Sequence, residues 1–130
     1  MKRNVLVIDD SSTIREQVSG ILVSAGFDVV EAADGQIGLS TMQSRNDVAL
    51  VLCDVNMPNM NGIEFLEALR PKERTPAIPV VMLTTDGTPE TMARARRAGA
   101  CAWIVKPFRA DRLVAAVQKL IADSGPRSPS

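Results

Sequence analysis

The stretch Val48–Cys53 is an unbroken apolar run that stops on a carboxylate, Asp54, and is followed by the Pro- and Asn-rich loop VNMPNMNG, which closes on Gly62. A segment so short and apolar at every position has no wet side, so it reads as a strand buried on both faces, the condition of an inner strand in a parallel sheet. Asp54 then stands at the tip of a buried strand. Alone, an aspartate there is an ordinary turn former or helix cap. A second apolar run, Asn4–Ile8, ends the same way at Asp9 and Asp10. In a parallel sheet the carboxyl ends of the strands share one edge, where ligands bind at the topological switch point, so three carboxylates can converge.

The rest of the chain repeats the alternation. Ser11 or Ser12 offers an N-cap, and Ile14, Val18, Ile21, Leu22 and Ala25 recur at helical spacing up to Gly26. A second strand covers Phe27–Ala32. The turn pair Asp34-Gly35 leads into a weaker helix marked by Ile37, Leu39 and Met42, in which Gly38 costs about 1 kcal/mol relative to alanine. Ile63, Leu66 and Leu69 mark a third helix, ended by Pro71 and the polar segment through Pro76. Pro79 opens a strand over Val80–Leu83 that ends in Thr84, Thr85 and Asp86. Thr88 and Pro89 read as N-cap and first position of a helix reaching Ala98 and stopped at Gly99. Cys101–Val105 is the fifth strand, closed by Lys106-Pro107, and a last helix runs from about Asp111 to Ile121.

Strands and helices thus alternate five times with short connections, which predicts an α/β, (βα)5 doubly wound fold with helices on both faces of a parallel sheet. One domain over residues 1–122 is expected, followed by a Gly-, Pro- and Ser-rich tail, Asp123–Ser130, that reads as disordered and leaves open a linker to a further domain.

Several function classes fall away. With 15 basic and 15 acidic side chains the formal net charge is zero, so bulk electrostatics favour neither nucleic acid nor an anionic membrane. Arg94, Arg96 and Arg97, with Arg70, Lys72 and Arg74, make a locally basic region that reads as a solvated face. No apolar run approaches a membrane span of about 20 residues, and Asp9 and Asp10 interrupt the signal-peptide-like start, so a cytoplasmic location is expected. Cys53 and Cys101 fall at opposite edges of the sheet and read as reduced core thiols. Histidine is absent, which removes Ser-His and Cys-His nucleophile pairs and most transition-metal sites. Chemistry is left to carboxylates, hydroxyls and lysine.

Four strand ends carry such groups: Asp9 with Asp10, Asp54, Thr84 and Lys106. Carboxylates crowded together need raised pKa values or a countercharge. With oxygen donors alone the cation is hard, Mg²⁺ or else Mn²⁺. A carboxylate beside a metal, an ammonium and a hydroxyl suits phosphoryl acceptance.

Asp9-Asp10, Asp54 within DVNMPNMNG, Thr84 and Lys106-Pro107, in this order over Asn4–Ile121, resemble the response regulator receiver domain of two-component signalling, and most of all the single-domain chemotaxis regulators. The resemblance implies a flavodoxin-like sheet of order 2-1-3-4-5. It implies that Asp54 is the phosphoacceptor and that Asp9, Asp10, Asp54 and the Asn56 backbone carbonyl hold Mg²⁺. Lys106 would pair with phosphoryl oxygens, and Thr84 would be the switch hydroxyl, with Trp103 at the aromatic switch position. The Lys106-Pro107 bond is expected to be cis. Asn56 and Thr85 fall where hydrolysis is tuned, and the bulk of Thr85, where Ala or Gly is usual, is expected to prolong the phosphorylated state. The resemblance also implies a sensor histidine kinase or phosphotransfer protein as donor and a downstream protein on the fourth helix, fifth strand and fifth helix. A monomer or a phosphorylation-dependent dimer follows from it, with no membrane and no nucleic acid partner. The competing readings are a degenerate docking domain, a phosphohydrolase and a nucleotide-binding module. The second lacks a general acid at Asn56 and the third lacks a glycine-rich turn after the first strand.

Overall fold

The apolar runs form one five-stranded parallel sheet of β1 (Asn4–Ile8), β2 (Asp28–Ala32), β3 (Val48–Asp54), β4 (Val80–Thr84) and β5 (Ala102–Val105), in spatial order β2-β1-β3-β4-β5. The computed structural model describes residues 4–57, 60–70, 78–85 and 87–124. Pro58, the Pro71–Pro76 helix stop, Asp86 and most of the expected tail lie outside them.

Helices α1 (Ser12–Ser24), α2 (Gly35–Ser44), α3 (Gly62–Leu69), α4 (Pro89–Ala98) and α5 (Ala110–Ser124) connect and follow the strands. Strand alternation divides the core into two layers. Val5, Val7, Leu50, Leu52, Val81 and Leu83 pack against Val18, Leu22, Leu113 and Val117 of α1 and α5. Leu6, Ile8, Val51, Cys53 and Met82 pack against Ile63, Phe65, Leu66 and Ala95 of α3 and α4. Both faces of β1, β3 and β4 are therefore covered, and for that reason their sequences are apolar without a break.

The helix starts are fixed by local chemistry. Ser11 accepts a hydrogen bond from the Ile14 N–H at 3.3 Å. Asn61 and Glu64 form a capping box, with bonds of 2.8 and 3.0 Å. Thr88 caps α4 ahead of Pro89, and Gly99 ends it in the left-handed region at φ 112°. Asp34-Gly35, expected as a turn, instead supplies the N-cap and first residue of α2: the Asp34 carboxylate accepts from the Ile37 N–H at 2.9 Å.

Gly38 is explained by packing. It is buried, and a Cβ there would run into Ile8 Cδ1, with Ile8 Cγ1 at 3.1 Å and Phe65 Cε1 at 3.4 Å. The missing side chain lets α2 lie close to β1. Two boundaries differ from expectation at the C-terminal end. Asp123 and Ser124, assigned to the tail by composition, continue α5 because no helix breaker precedes Gly125. Cys101 is exposed, not a core thiol, because it precedes β5 at the open edge of the sheet, whereas Cys53 is buried; both are free. Among the described residues no helix is long and apolar enough to cross a membrane.

Candidate functional site at the strand ends

Asp9 follows β1, Asp54 ends β3, Thr84 ends β4 and Lys106 follows β5, so all four lie on the carboxyl edge of the sheet. β1 is flanked by β2 on one side and β3 on the other, so the strand order reverses between β1 and β3. Asp9 and Asp54 stand at that switch point.

Asp9, Asp54 and Thr84 are buried polar residues, with 2%, 6% and 2% of their surface exposed. Asp10 faces solvent. One carboxylate oxygen from each of Asp9, Asp10 and Asp54 lies within 4.8 Å of the others. Lys106 reaches in from the opposite side, its Nζ 3.0 Å from Asp9 Oδ2 and 3.5 Å from Asp54 Oδ1. The Lys106-Pro107 peptide bond is cis, as the resemblance implied. The Lys106 N–H donates to the Thr84 carbonyl at 2.7 Å, which ties the β4 and β5 ends together.

A single ammonium does not balance three carboxylates. Burial, and after it the charge of Asp9, pushes the Asp54 carboxyl up from 3.8 to about 6; the Lys106 charge and a hydrogen bond from the Asn56 backbone N–H act in the opposite direction. Burial first, and the neighbouring Asp9 charge after it, make Asp54 keep its proton up to about pH 6. The donors are hard oxygens, at least two of them carboxylates, beside open solvent. That set fits Mg²⁺, which keeps several waters and binds through one or two carboxylates, and it suits neither a soft metal nor a closed cage.

The loop after β3 is held close. The Gly62 N–H donates to the Val55 carbonyl at 2.9 Å, and a Cβ at Gly62 would strike the Asp54 carbonyl and approach Met82 Cε to 2.6 Å. Asp9 is fixed from three directions: its Oδ1 accepts from the Ser11 N–H at 2.9 Å, its N–H donates to the Ala32 carbonyl at 3.1 Å, and its carbonyl accepts from the Arg15 guanidinium. Arg15 is held in turn by Glu31 at 3.2 Å. Sequence reasoning missed Arg15; its position one turn into α1, on the side of the Asp9 strand end, is the signal that would have found it.

Residues 5–118 match the response regulator receiver domain family. The chain belongs to that family. The receiver domain is 38% identical over 117 residues to the chemotaxis protein CheY of Pseudomonas aeruginosa, covering 89% of this chain and 94% of that one. Its structure resembles that of the chemotaxis protein CheY4 of Vibrio cholerae, with a TM-score of 0.86, 38% identity and coverage of 92% and 99% of the two chains. A CheY-like receiver domain protein of Methanospirillum hungatei superposes with a TM-score of 0.88 at 27% identity, over 95% of this chain and 97% of that one. The receiver domain is thus a two-component signalling switch rather than a turnover enzyme.

Within the receiver domain, Trp103 lies opposite Met82 in the β4–β5 register, and Thr84 lies opposite Val105. Alternation puts Thr84, Met82 and Trp103 on the face covered by α4, with Trp103 diagonal to Thr84 at the reach of a long side chain. Trp103 is half-buried against the cluster that holds Met82 and Ala95. Thr85 is exposed beside the site.

Proposed function

We propose that this receiver domain accepts a phosphoryl group on Asp54 from the phosphohistidine of a sensor histidine kinase or phosphotransfer protein. A carboxylate oxygen of Asp54 attacks phosphorus in line as the P–N bond breaks, and the bonding pair stays on the imidazole, which takes up a proton. Asp9, Asp10, Asp54 and the Asn56 carbonyl would hold Mg²⁺, which when bound would supply positive charge beside the transferring group. Lys106 stabilises phosphoryl oxygens from the other side, and the Thr84 hydroxyl bonds the phosphoryl group once it is in place.

The observation that carries this reading is the Asp54 carboxyl at the switch point, with two further carboxylates within 4.8 Å and Lys106 Nζ at 3.5 Å. A degenerate docking domain would have no need of that complete set. Phosphorylation then stabilises an active conformer already present in small amounts. The diagonal placement of Thr84 and Trp103 supports a readout on α4, β5 and α5, where a downstream protein binds; the similarity to CheY proteins favours a target in chemotaxis or motility control. The unit acts in the cytoplasm as one domain that closes with α5 (Ala110–Ser124), as a monomer or a dimer formed on phosphorylation.

Intact mass after incubation with Mg²⁺ and a small acyl phosphate tests the acceptor. Gain of one phosphoryl group is expected, and its loss both in Asp54→Asn and with chelator present. A native protein that gains mass equally with Asp54→Asn would refute Asp54 as acceptor.

A further inference from the structure

Arg96 lies on the exposed side of α4, next to the buried Ala95, and its guanidinium carbon sits 5.1 Å above the centroid of the Trp103 ring. That is within cation–π range, and arginine adds planar stacking on an aromatic face. Arg94 and Arg97 point from the same helix without such a contact among the described residues. No carboxylate of the described residues pairs with Arg96. The indole is therefore held on two sides, by the Met82 and Ala95 cluster and by a guanidinium that makes no competing ion pair there.

We propose that Arg96 is a positioning residue for Trp103: by stacking on the indole it holds the ring against α4 and sets how many molecules have Trp103 displaced from that position. The weight of an exposed cation–π contact corresponds to a shift of about two- to fivefold in such an equilibrium. Because Trp103 is diagonal to Thr84 on the same face, the same contact opposes any movement of the ring that follows the Thr84 hydroxyl. This consequence rests on the switch reading above, whereas the anchoring itself does not.

The chain has one tryptophan and no tyrosine, so indole emission reports on Trp103 alone. The test uses the full chain without Mg²⁺ or phosphodonor, comparing Arg96→Gln, Arg96→Lys and Arg97→Gln with the native protein. Arg96→Gln is expected to shift the Trp103 emission maximum and to change the ratio of its fluorescence lifetime components about two- to fivefold. Arg96→Lys should restore part of the native signal, and Arg97→Gln, which removes the same charge one residue away, should match the native protein. Far-ultraviolet circular dichroism separates a local change from loss of fold. Identical spectra for Arg96→Gln and the native protein would overturn the proposal, as would an equal effect from Arg97→Gln. Mass measurement of the same samples after acyl phosphate reports separately on Asp54, so failure of the acceptor reading appears as absent mass gain and not as unchanged emission.

Discussion

A carboxyl that titrates near pH 6 at the end of β3 ties the stability of the domain to pH in a definite sense. Asp54 has its pKa raised from 3.8 to about 6 by burial and by Asp9, so between these values the folded state binds more protons than the unfolded one. Stability from this group is fully present below about pH 3.8 and is lost as pH rises through about 6. With the partial solvent access of the site discounting the full shift, the loss is about 1–2 kcal/mol. Asp54→Asn is therefore expected to be more stable than the native protein at pH 7.5 by about that amount, with the gap closing near pH 4. Urea midpoints at the two pH values check it, and a constant gap would show that the burial of charge is not its cause. Lys106 is the converse case. Its ammonium bonds Asp9 at 3.0 Å, and Asp9 is 2% exposed. Removing one partner of such a pair strands the other, so Lys106→Met should cost about 2–3 kcal/mol at pH 7.5. Adding Asp54→Asn to that variant should recover more than it adds to the native protein, since without Lys106 the Asp54 carboxylate has lost its neighbouring cation; purely additive effects would place the two residues in separate environments.

At the scale of elements, the signals that could be read from sequence were those acting within a few residues. Apolar runs ending in Asp9, Asp54 and Thr84 identified strand tips because a strand buried on both faces admits polar groups only where it emerges. Thr88-Pro89 and Gly99 identified both ends of α4 because cap chemistry is local. Contacts between distant segments left no such mark. The position of Arg15 in α1 puts it on the side of the Asp9 strand end but does not name the Asp9 carbonyl as its partner, and nothing in the run of arginines separates Arg96, stacked on Trp103, from Arg97. Gly38 is the sharpest case. By helix propensity alone Gly38→Ala should stabilise α2 by about 1 kcal/mol. In the folded protein the new Cβ meets the side chain of Ile8, itself 1% exposed and packed in the core, and overpacking of that kind costs about 1–3 kcal/mol. Gly38→Ala is expected to lower stability by about 1 kcal/mol in denaturant unfolding, and a gain would show that α2 can lift from β1 without penalty. Beyond β4, the exposed Thr85 beside the site is expected to slow attack of water on the phosphorylated form. Thr85→Ala should speed loss of the phosphoryl group by roughly tenfold, a barrier change of about 1.4 kcal/mol. A decay rate equal to that of the native protein, followed by mass after donor removal, would dismiss this role.

For the molecule as a whole, the site gathers unbalanced negative charge where the ends of β1 and β3 lie side by side, with Lys106 reaching in from beyond β5 across the end of β4, so the ligand that fills it should stabilise the entire sheet edge. Asp9 is bonded through its main chain to Ala32 at the end of β2, and Lys106 to Thr84 of β4, so the elements around the site share its electrostatic cost. A cation that binds only the folded chain raises stability by mass action, about 2.7 kcal/mol at one hundred times its dissociation constant. Coordination needs Asp54 ionised, and Asp54 keeps its proton up to about pH 6, so metal must displace that proton below this pH and meets a free carboxylate above it. The rise in melting temperature on adding Mg²⁺ should accordingly be small at pH 5, grow through pH 6 and level off by pH 7.5. Asp10→Asn should diminish it throughout, because Asp10 adds the exposed carboxylate of the cluster. Chelation should return the native protein to its metal-free melting temperature. An equal rise at pH 5 and pH 7.5 would mean that the cation binds away from Asp54, and the three carboxylates would then need another explanation for their approach.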